Sequence, residues 1–351
     1  MALCLGIEST AHTIGVGIAE LSASRQAGKI RILANARHLY KPPQGQGIIP
    51  RVAADHHAEF LPQVLQEALS TGGHKLSDID LFAFSRGPGI GQCLRVSCSA
   101  AKFLASKHGK PILGINHCHS HLEVSRGTLG MDDPLYVYVS GANTQLITEN
   151  RKIAINEGIS AANGKKGTKK NPNRRFLVLG ETLDMGLGNL FDVFAREAHF
   201  AYPHGSEVAK QALQGSYFPL PYTVKGMNFA FAGLLTSAVR EVGKRKTPDI
   251  CHSLMETAFA EICEASERAL CLTGKKEVTV CGGVAQNPRF CSMLSQMCDE
   301  QGARFGVVES ALNADNGAMI AYTALSEWKK GKREKMEELK PNGYWRIDEV
   351  F

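Results

Sequence analysis

The sequence predicts a two-lobed α/β protein built from a duplicated unit, and three observations carry that reading. Each half of the chain opens on paired strand-like runs and continues as alternating strand and helix. At 351 residues the chain exceeds what one hydrophobic core usually organises. Its composition, 44% hydrophobic and 21% charged, is that of an ordinary globular protein. The expected division is an N-terminal lobe over 1–130, a C-terminal lobe over 131–330 and a tail over 331–351. The second lobe would carry a basic insertion at about 151–175.

In the first half, residues 3–7, 13–19 and 30–39 read as strands, the first two joined by Ser9-Thr10-Ala11-His12. Apolar residues at helical spacing (Val52, Phe60, Leu61, Val64, Leu65, Leu69) predict a helix over 51–71. A strand at 81–84 runs into the glycine-rich turn 85–91, which opens a helix to about 108. Another strand at 111–115 and a histidine-bearing helix complete a β-β-β-α-β-α-β-α order. The second half restarts with strands at 135–140 and 144–148, and a third near 152–156 or 176–179. Helices follow around 184–199, 205–214, 228–243 and 248–273, then a strand at 277–281, a helix from about 287, a strand near 304–308 and a helix over 316–329. This arrangement resembles the actin/Hsp70/sugar-kinase superfamily, in which two ribonuclease-H-like lobes clasp a nucleotide. Periodicity alone also fits other two-lobed α/β folds.

Charge and composition exclude several classes. No apolar run reaches the roughly 18 residues a membrane helix needs, and the N-terminus lacks the basic n-region of a signal peptide. The ten cysteines contain no Cys-x-x-Cys pair and are scattered through apolar segments. Reduced, buried thiols in a cytoplasmic protein are expected (a nuclear location being open to a eukaryotic chain). The net charge of +6 resides in residues 164–175, which hold six basic residues and no acidic one. The remainder is formally neutral, so the basicity is one polar loop able to touch nucleic-acid phosphate, or a solvated insertion. The charged stretch 329–340 reads as a solvated helix end.

Three motifs point to chemistry. His117 and His121 follow the apolar run 111–115. If a helix opens there, positions i and i+4 share a face, so two imidazoles reach one metal ion, and His119 points elsewhere as a bystander. Ser140-Gly141-Ala142-Asn143-Thr144 and Gly282-Gly283-Val284-Ala285-Gln286-Asn287 each place a tight turn after a strand, where backbone N–H groups can face an anion. Asp315, before the last apolar helix, fits either a helix cap or a carboxylate ligand for the histidine metal, and spacing does not choose between them.

Taken together, Leu5-Gly6-Ile7-Glu8-Ser9-Thr10-Ala11-His12-Thr13, Ile49-Pro50-Arg51, Gly87-Pro88-Gly89, His117-x3-His121, Ser140-Gly141-x-Asn143-Thr144-Gln145, Gly180-Glu181-Thr182-Leu183-Asp184, Gly282-Gly283-Val284-Ala285-x-Asn287 and Asp315-Asn316-Gly317 resemble one family. It is the tRNA N6-adenosine threonylcarbamoyltransferases, in the archaeal/eukaryotic form that is the catalytic subunit of the KEOPS complex. The motifs run in family order from residue 5 to about 325. The resemblance implies metal ligands at His117, His121, Tyr138 and Asp315, with Fe(II), or alternatively zinc, as the ion. It implies nucleotide contacts from Tyr138, Val139, Ser140, Gly141, Ala142, Asp192, Gly205 and Asn287. The implied reaction moves a threonylcarbamoyl group from threonylcarbamoyl-AMP to N6 of the tRNA adenosine immediately 3′ of the anticodon. Implied partners are tRNA and KEOPS subunits including a small kinase/ATPase, expected as a separate polypeptide.

The sequence departs from the family at Ala142 (usually glycine), Val193 (usually basic), His204 and Ser206 (within Pro-Gly-Gly-Pro) and Ala209 (usually a nucleotide contact). An alternative reading is therefore a non-catalytic KEOPS subunit or paralogue with a drifted nucleotide site. A metalloprotease would need a glutamate base beside the first histidine, where Cys118 stands. A sugar or acetate kinase would need an acidic base and no histidine metal site.

Overall fold

The computed structural model describes residues 1–22, 29–42, 47–150 and 174–351. Its strands are β1 (Ala2–Glu8), β2 (Thr13–Leu21), β3 (Ile30–Leu39), β4 (Leu81–Gly87), β5 (Ile112–Asn116), β6 (Leu135–Val139), β7 (Thr144–Glu149), β8 (Phe176–Glu181), β9 (Glu277–Cys281) and β10 (Arg304–Val307). The helices are α1 (Pro50–Gly72), α2 (Gly91–His108), α3 (His117–Thr128), α4 (Leu187–Glu197), α5 (Gly205–Ala212), α6 (Phe231–Glu241), α7 (Thr247–Thr273), α8 (Pro288–Glu300), α9 (Ser310–Asn313) and α10 (Gly317–Lys329).

These form two compact units, Met1–Val124 with Glu309–Ile347, and Ser125–Val308 with Asp348–Phe351. Each holds a five-stranded sheet, ordered β3-β2-β1-β4-β5 in the first and β8-β7-β6-β9-β10 in the second. In both, the first strand of the unit lies at the centre. It starts an antiparallel meander on one side and pairs parallel with the later strands on the other. One connectivity used twice is the duplicated ribonuclease-H-like unit expected from the sequence. The third strand of the second unit is Phe176–Glu181. Residues 152–156, the other candidate, lie outside the described residues, as do 164–173 of the basic tract. The two arginines that end the tract are paired, Arg174 with Asp348 at 3.0 Å and Arg175 with Glu149 at 3.0 Å.

The division between units differs from the expected one. The first unit ends at Val124 and the chain returns to it at Glu309, so α10 and Asp315 belong with the histidines rather than with the second lobe. The cause is a backbone contact. Along β1 and β2, Leu5, Ile7, Val16 and Ile18 turn one way, into a core with Val64, Ala68 and Ala101. The alternate positions, Gly6, Gly15 and Gly17, turn the other way. With no side chain there, α10 lies directly on the sheet. A Cβ on Gly17 would stand 2.1 Å from the Ala318 backbone nitrogen, and one on Gly317 would stand 2.3 Å from the Gly17 nitrogen.

The tail also differs from its expected form as a solvated helix end. Leu339 is buried in the core of the first unit. Glu334 accepts the Gly114 N–H at 2.9 Å and Asn116 donates to the Trp345 carbonyl at 3.1 Å, so residues after α10 cover the outer strand β5. Covering an edge strand satisfies backbone groups that would otherwise template aggregation. The second unit is packed around Phe191, Phe194, Phe231, Phe259 and Phe290, between its sheet and α4 to α8. None of the ten cysteines, all of them described, is in a disulfide, eight are buried, and no described helix is long and apolar enough to cross a membrane.

Candidate metal centre

The first histidine is positioned by a strand-to-helix junction. The apolar strand β5 ends in Asn116, whose Oδ1 accepts the His119 N–H at 3.0 Å and so caps the first turn of α3. The helix begins on His117 itself, which puts His117 and His121 one turn apart on a common face. Their rings meet edge to face, 4.8 Å between centroids. His119 projects elsewhere, with Nε2 3.9 Å from both Glu123 Oε2 and Glu327 Oε1, in keeping with its reading as a bystander.

Asp315 arrives from the other end of the chain. Its Oδ1 lies 3.3 Å from His121 Nε2 and 3.6 Å from His117 Nε2. Of the two roles open to it in the sequence, the cap belongs to its neighbour. Asn316 Oδ1 accepts the Met319 N–H at 2.9 Å, while its Nδ2 donates to the Ala314 and Leu312 carbonyls. Asp315 is thereby left projecting at the imidazoles. Among the described residues, His117, His121 and Asp315 form the one cluster of metal-capable side chains, all three donor atoms within 4.8 Å of one another.

The charges in this cluster are strongly interdependent. Burial would lower the His117 pKa, but the Glu8 and Asp315 carboxylates outweigh it and raise it to about 9. Burial lowers His121, Asp315 partly opposes this, and the charge on His117 lowers it further. Burial favours the neutral form of Asp315, yet the two imidazoles hold its carboxyl well below the usual carboxylate range. An anionic oxygen and two imidazole nitrogens converging in a mostly buried site suit a divalent cation of intermediate softness. The residues present therefore fit the metal that the sequence motifs imply.

Sequence reasoning gave no separate role to Glu8, which completes this centre. It is fully buried at the end of β1, and its Oε2 lies 3.1 Å from His117 Nδ1. The available signal was an ionisable residue continuing an apolar strand, a position that rarely holds a carboxylate without a partner.

The remaining sequence-selected residues lie in the second unit. Tyr138 and Val139 are buried in β6. At the following turn, Ser140 donates its N–H to the Asn143 carbonyl at 2.7 Å and Asn143 donates to Ser140 Oγ at 3.0 Å. Two of the N–H groups expected to face an anion are therefore used inside the turn. Gly141 and Ala142 are exposed, so the alanine side chain is accommodated without crowding the turn. Asp192 and Gly205 are brought together, with Asp192 Oδ1 accepting the Gly205 N–H at 2.7 Å. Asn287 caps α8 through the Arg289 and Phe290 N–H groups. It follows Gly282, whose φ of 98° admits a close approach to the Val139 carbonyl.

Several departures from the family have local structural uses. His204 Nδ1 accepts the Ser206 N–H at 3.2 Å and caps α5. Ala209 packs against the core of the second unit, and Val193 is half-buried in α4. In the Gly180–Asp184 motif, Asp184 accepts the Phe231 and Ala232 N–H groups at 3.0 and 2.9 Å and so caps α6 across space.

The duplicated sheets and the His/His/Asp cluster define an α/β protein of the actin/Hsp70/sugar-kinase class with a metal-capable centre. Solved structures share the fold. HypF from T. kodakarensis superposes with a TM-score of 0.57 at 14% identity, over 94% of this chain and 48% of that one. Component A of the Acidaminococcus fermentans (R)-2-hydroxyglutaryl-CoA dehydratase superposes with a TM-score of 0.53 at 14% identity, over 93% and 100%. The family model for tRNA N6-adenosine threonylcarbamoyltransferase, TsaD, matches residues 31–166 and 158–322. The enzymes of that name from Thermofilum pendens and Thermococcus kodakarensis are each 44% identical to it, over 99% of this chain and 95% and 98% of theirs. The chain belongs to the tRNA N6-adenosine threonylcarbamoyltransferase family, a family of transferases. A probable bifunctional tRNA threonylcarbamoyladenosine biosynthesis protein of Methanococcus maripaludis is 43% identical over 99% of this chain, which spans 59% of that longer protein.

Proposed function

We propose that this chain transfers the threonylcarbamoyl group of threonylcarbamoyl-AMP to N6 of the tRNA adenosine immediately 3′ of the anticodon, releasing AMP. The observation that carries this reading is the convergence of His117, His121 and Asp315, in a member of this family, from segments almost two hundred residues apart. The same convergence argues against a non-catalytic paralogue, in which nothing would maintain three ionisable groups packed against one another. His117, His121 and Asp315 would hold the ion, with Tyr138 as a fourth ligand. Fe(II) is our assignment, and zinc suits the same donors. When bound, such an ion supplies Lewis acidity and orientation to phosphate or carbamoyl oxygens.

The chain's own residues do the rest by positioning, and no adjacent nucleophile–base pair is required. The adenosine N6 attacks the carbamoyl carbon, the carbon–oxygen bond to AMP breaks, and the N6 proton is released. The turn at Gly141 and Ala142, the Asp192–Gly205 pair and the capped start of α8 at Asn287 are our candidates for holding the nucleotide. Partners in this reading are tRNA and KEOPS subunits including a small kinase/ATPase, in a cytoplasmic setting. The bifunctional name of the longer Methanococcus maripaludis relative is consistent with a partner activity joined to this one.

The test supplies synthetic threonylcarbamoyl-AMP and unmodified tRNA, with and without partner subunits, and measures threonylcarbamoyladenosine by nucleoside mass spectrometry. Product formation that His121→Ala abolishes is the expected result. No product under any partner combination, or full activity and full metal content in His121→Ala, overturns the reading.

A further inference from the structure

The carboxylate of Glu8 is the one buried charge in this centre that the transfer reaction leaves unused. Strand β1 is otherwise apolar there, with Leu5 and Ile7 fully buried, and it ends in a carboxylate that is also fully buried. Such a group is costly to desolvate and is retained where it is paired and hydrogen-bonded. Both of its oxygens are engaged. Oε1 accepts the Thr10 N–H at 2.6 Å, which fixes the carboxylate plane against the backbone. Oε2 faces His117 Nδ1 at 3.1 Å. Position 8 turns to the same side of the sheet as Gly6 and opposite Gly15, the side on which α10 lies and Asp315 arrives.

We infer that Glu8 is a positioning residue that acts through His117. A carboxylate only accepts, so Nδ1 carries the proton and donates to Oε2, with Thr10 Oγ1 at 3.3 Å as a second neighbour. With that proton kept on Nδ1, Nε2 on the opposite edge of the ring, 3.6 Å from Asp315 Oδ1, is the nitrogen that gives up its proton to take an ion. Glu8 thus sits behind the imidazole as its orienting partner, outside the ligand set. It fixes which nitrogen binds, stops the ring from flipping and makes Nε2 a stronger donor. This inference rests on the proposed metal role of His117.

The experiment measures Co(II) and Zn(II) affinity of the purified full-length protein by chelator competition, for wild type, Glu8→Gln and Glu8→Ala. The His117 tautomer is read in the Zn(II)-loaded protein from imidazole 15N NMR. Glu8→Gln keeps the shape, and its expected result is roughly tenfold weaker metal binding with a mixed His117 tautomer. Glu8→Ala is expected to lose up to about 100-fold. If Glu8→Ala fails to fold, the Gln variant decides. Wild-type affinity together with an unchanged Nδ1–H tautomer in Glu8→Gln overturns the inference and leaves the metal reading standing. A wild-type protein that binds neither ion overturns both.

Discussion

Gly17 and Gly317 meet backbone to backbone, and that contact determines where Asp315 stands. A Cβ at either position would lie within 2.3 Å of the other segment's backbone. Helix α10 can therefore reach the sheet, and the residues before it can reach α3. Replacing Gly17 by alanine should force the two apart and cost about 3 kcal/mol or more, because the clash is with main chain that cannot rotate away. Chemical denaturation with parallel metal analysis checks this. Stability and metal retention should fall together, and an unchanged midpoint would show that the contact is dispensable.

A second expectation separates Asp315 from its neighbour. Asn316 holds the Met319 N–H and Asp315 does not. Asn316→Ala should cost about 1–2 kcal/mol and speed amide exchange at Met319. Asp315→Asn should leave Met319 protected and lose the metal instead. Rapid Met319 exchange in the Asp315 variant would reverse the two roles.

The third concerns acid. His57 is fully buried and its Nε2 faces the Ala11 carbonyl at 2.9 Å, while its Nδ1 lies 3.2 Å from His56. Burial, only partly offset by the Ala11 carbonyl, lowers its pKa from 6.5 to about 4. The unfolded chain then takes up a proton before the folded one does. The stabilisation is complete above pH 6.5 and is lost as pH falls through about 4, amounting to roughly 3 kcal/mol. His57→Gln, which retains a donor but cannot titrate, should flatten the stability profile between those pH values. Parallel profiles for the two proteins would remove His57 as the cause.

Much of the fold was legible because hydrophobic period reports burial directly. The run Pro111–Ile115 reads as a strand, and the change to Asn116-His117-Cys118-His119 marks the start of α3 that the structure shows. The placement of α10 was not legible. Its cause is what Gly6, Gly15 and Gly17 lack, and a glycine in a strand reads as weak strand rather than as a helix docking site. The packing of the tail is hidden in the sequence for a related reason. The lysines and glutamates of 329–340 conceal Met336 and Leu339, two apolar residues on the core of the first unit that a charge count passes over.

The candidate centre was half legible. Spacing alone joins His117 to His121, because one turn of helix relates them. Asp315 is 194 residues from His121, and only the sheet–helix contact brings it close. Glu8 meets His117 on the ring edge opposite Asp315, a relation no linear spacing encodes.

The account turns most directly on the metal content of the purified chain. Elemental analysis after loading with Fe(II) or Zn(II) should give one ion per chain in the wild type, and His117→Ala, His121→Ala and Asp315→Ala should each retain at least about tenfold less. Folded variants that bind as much metal as the wild type, or a wild type that binds none, would contradict it.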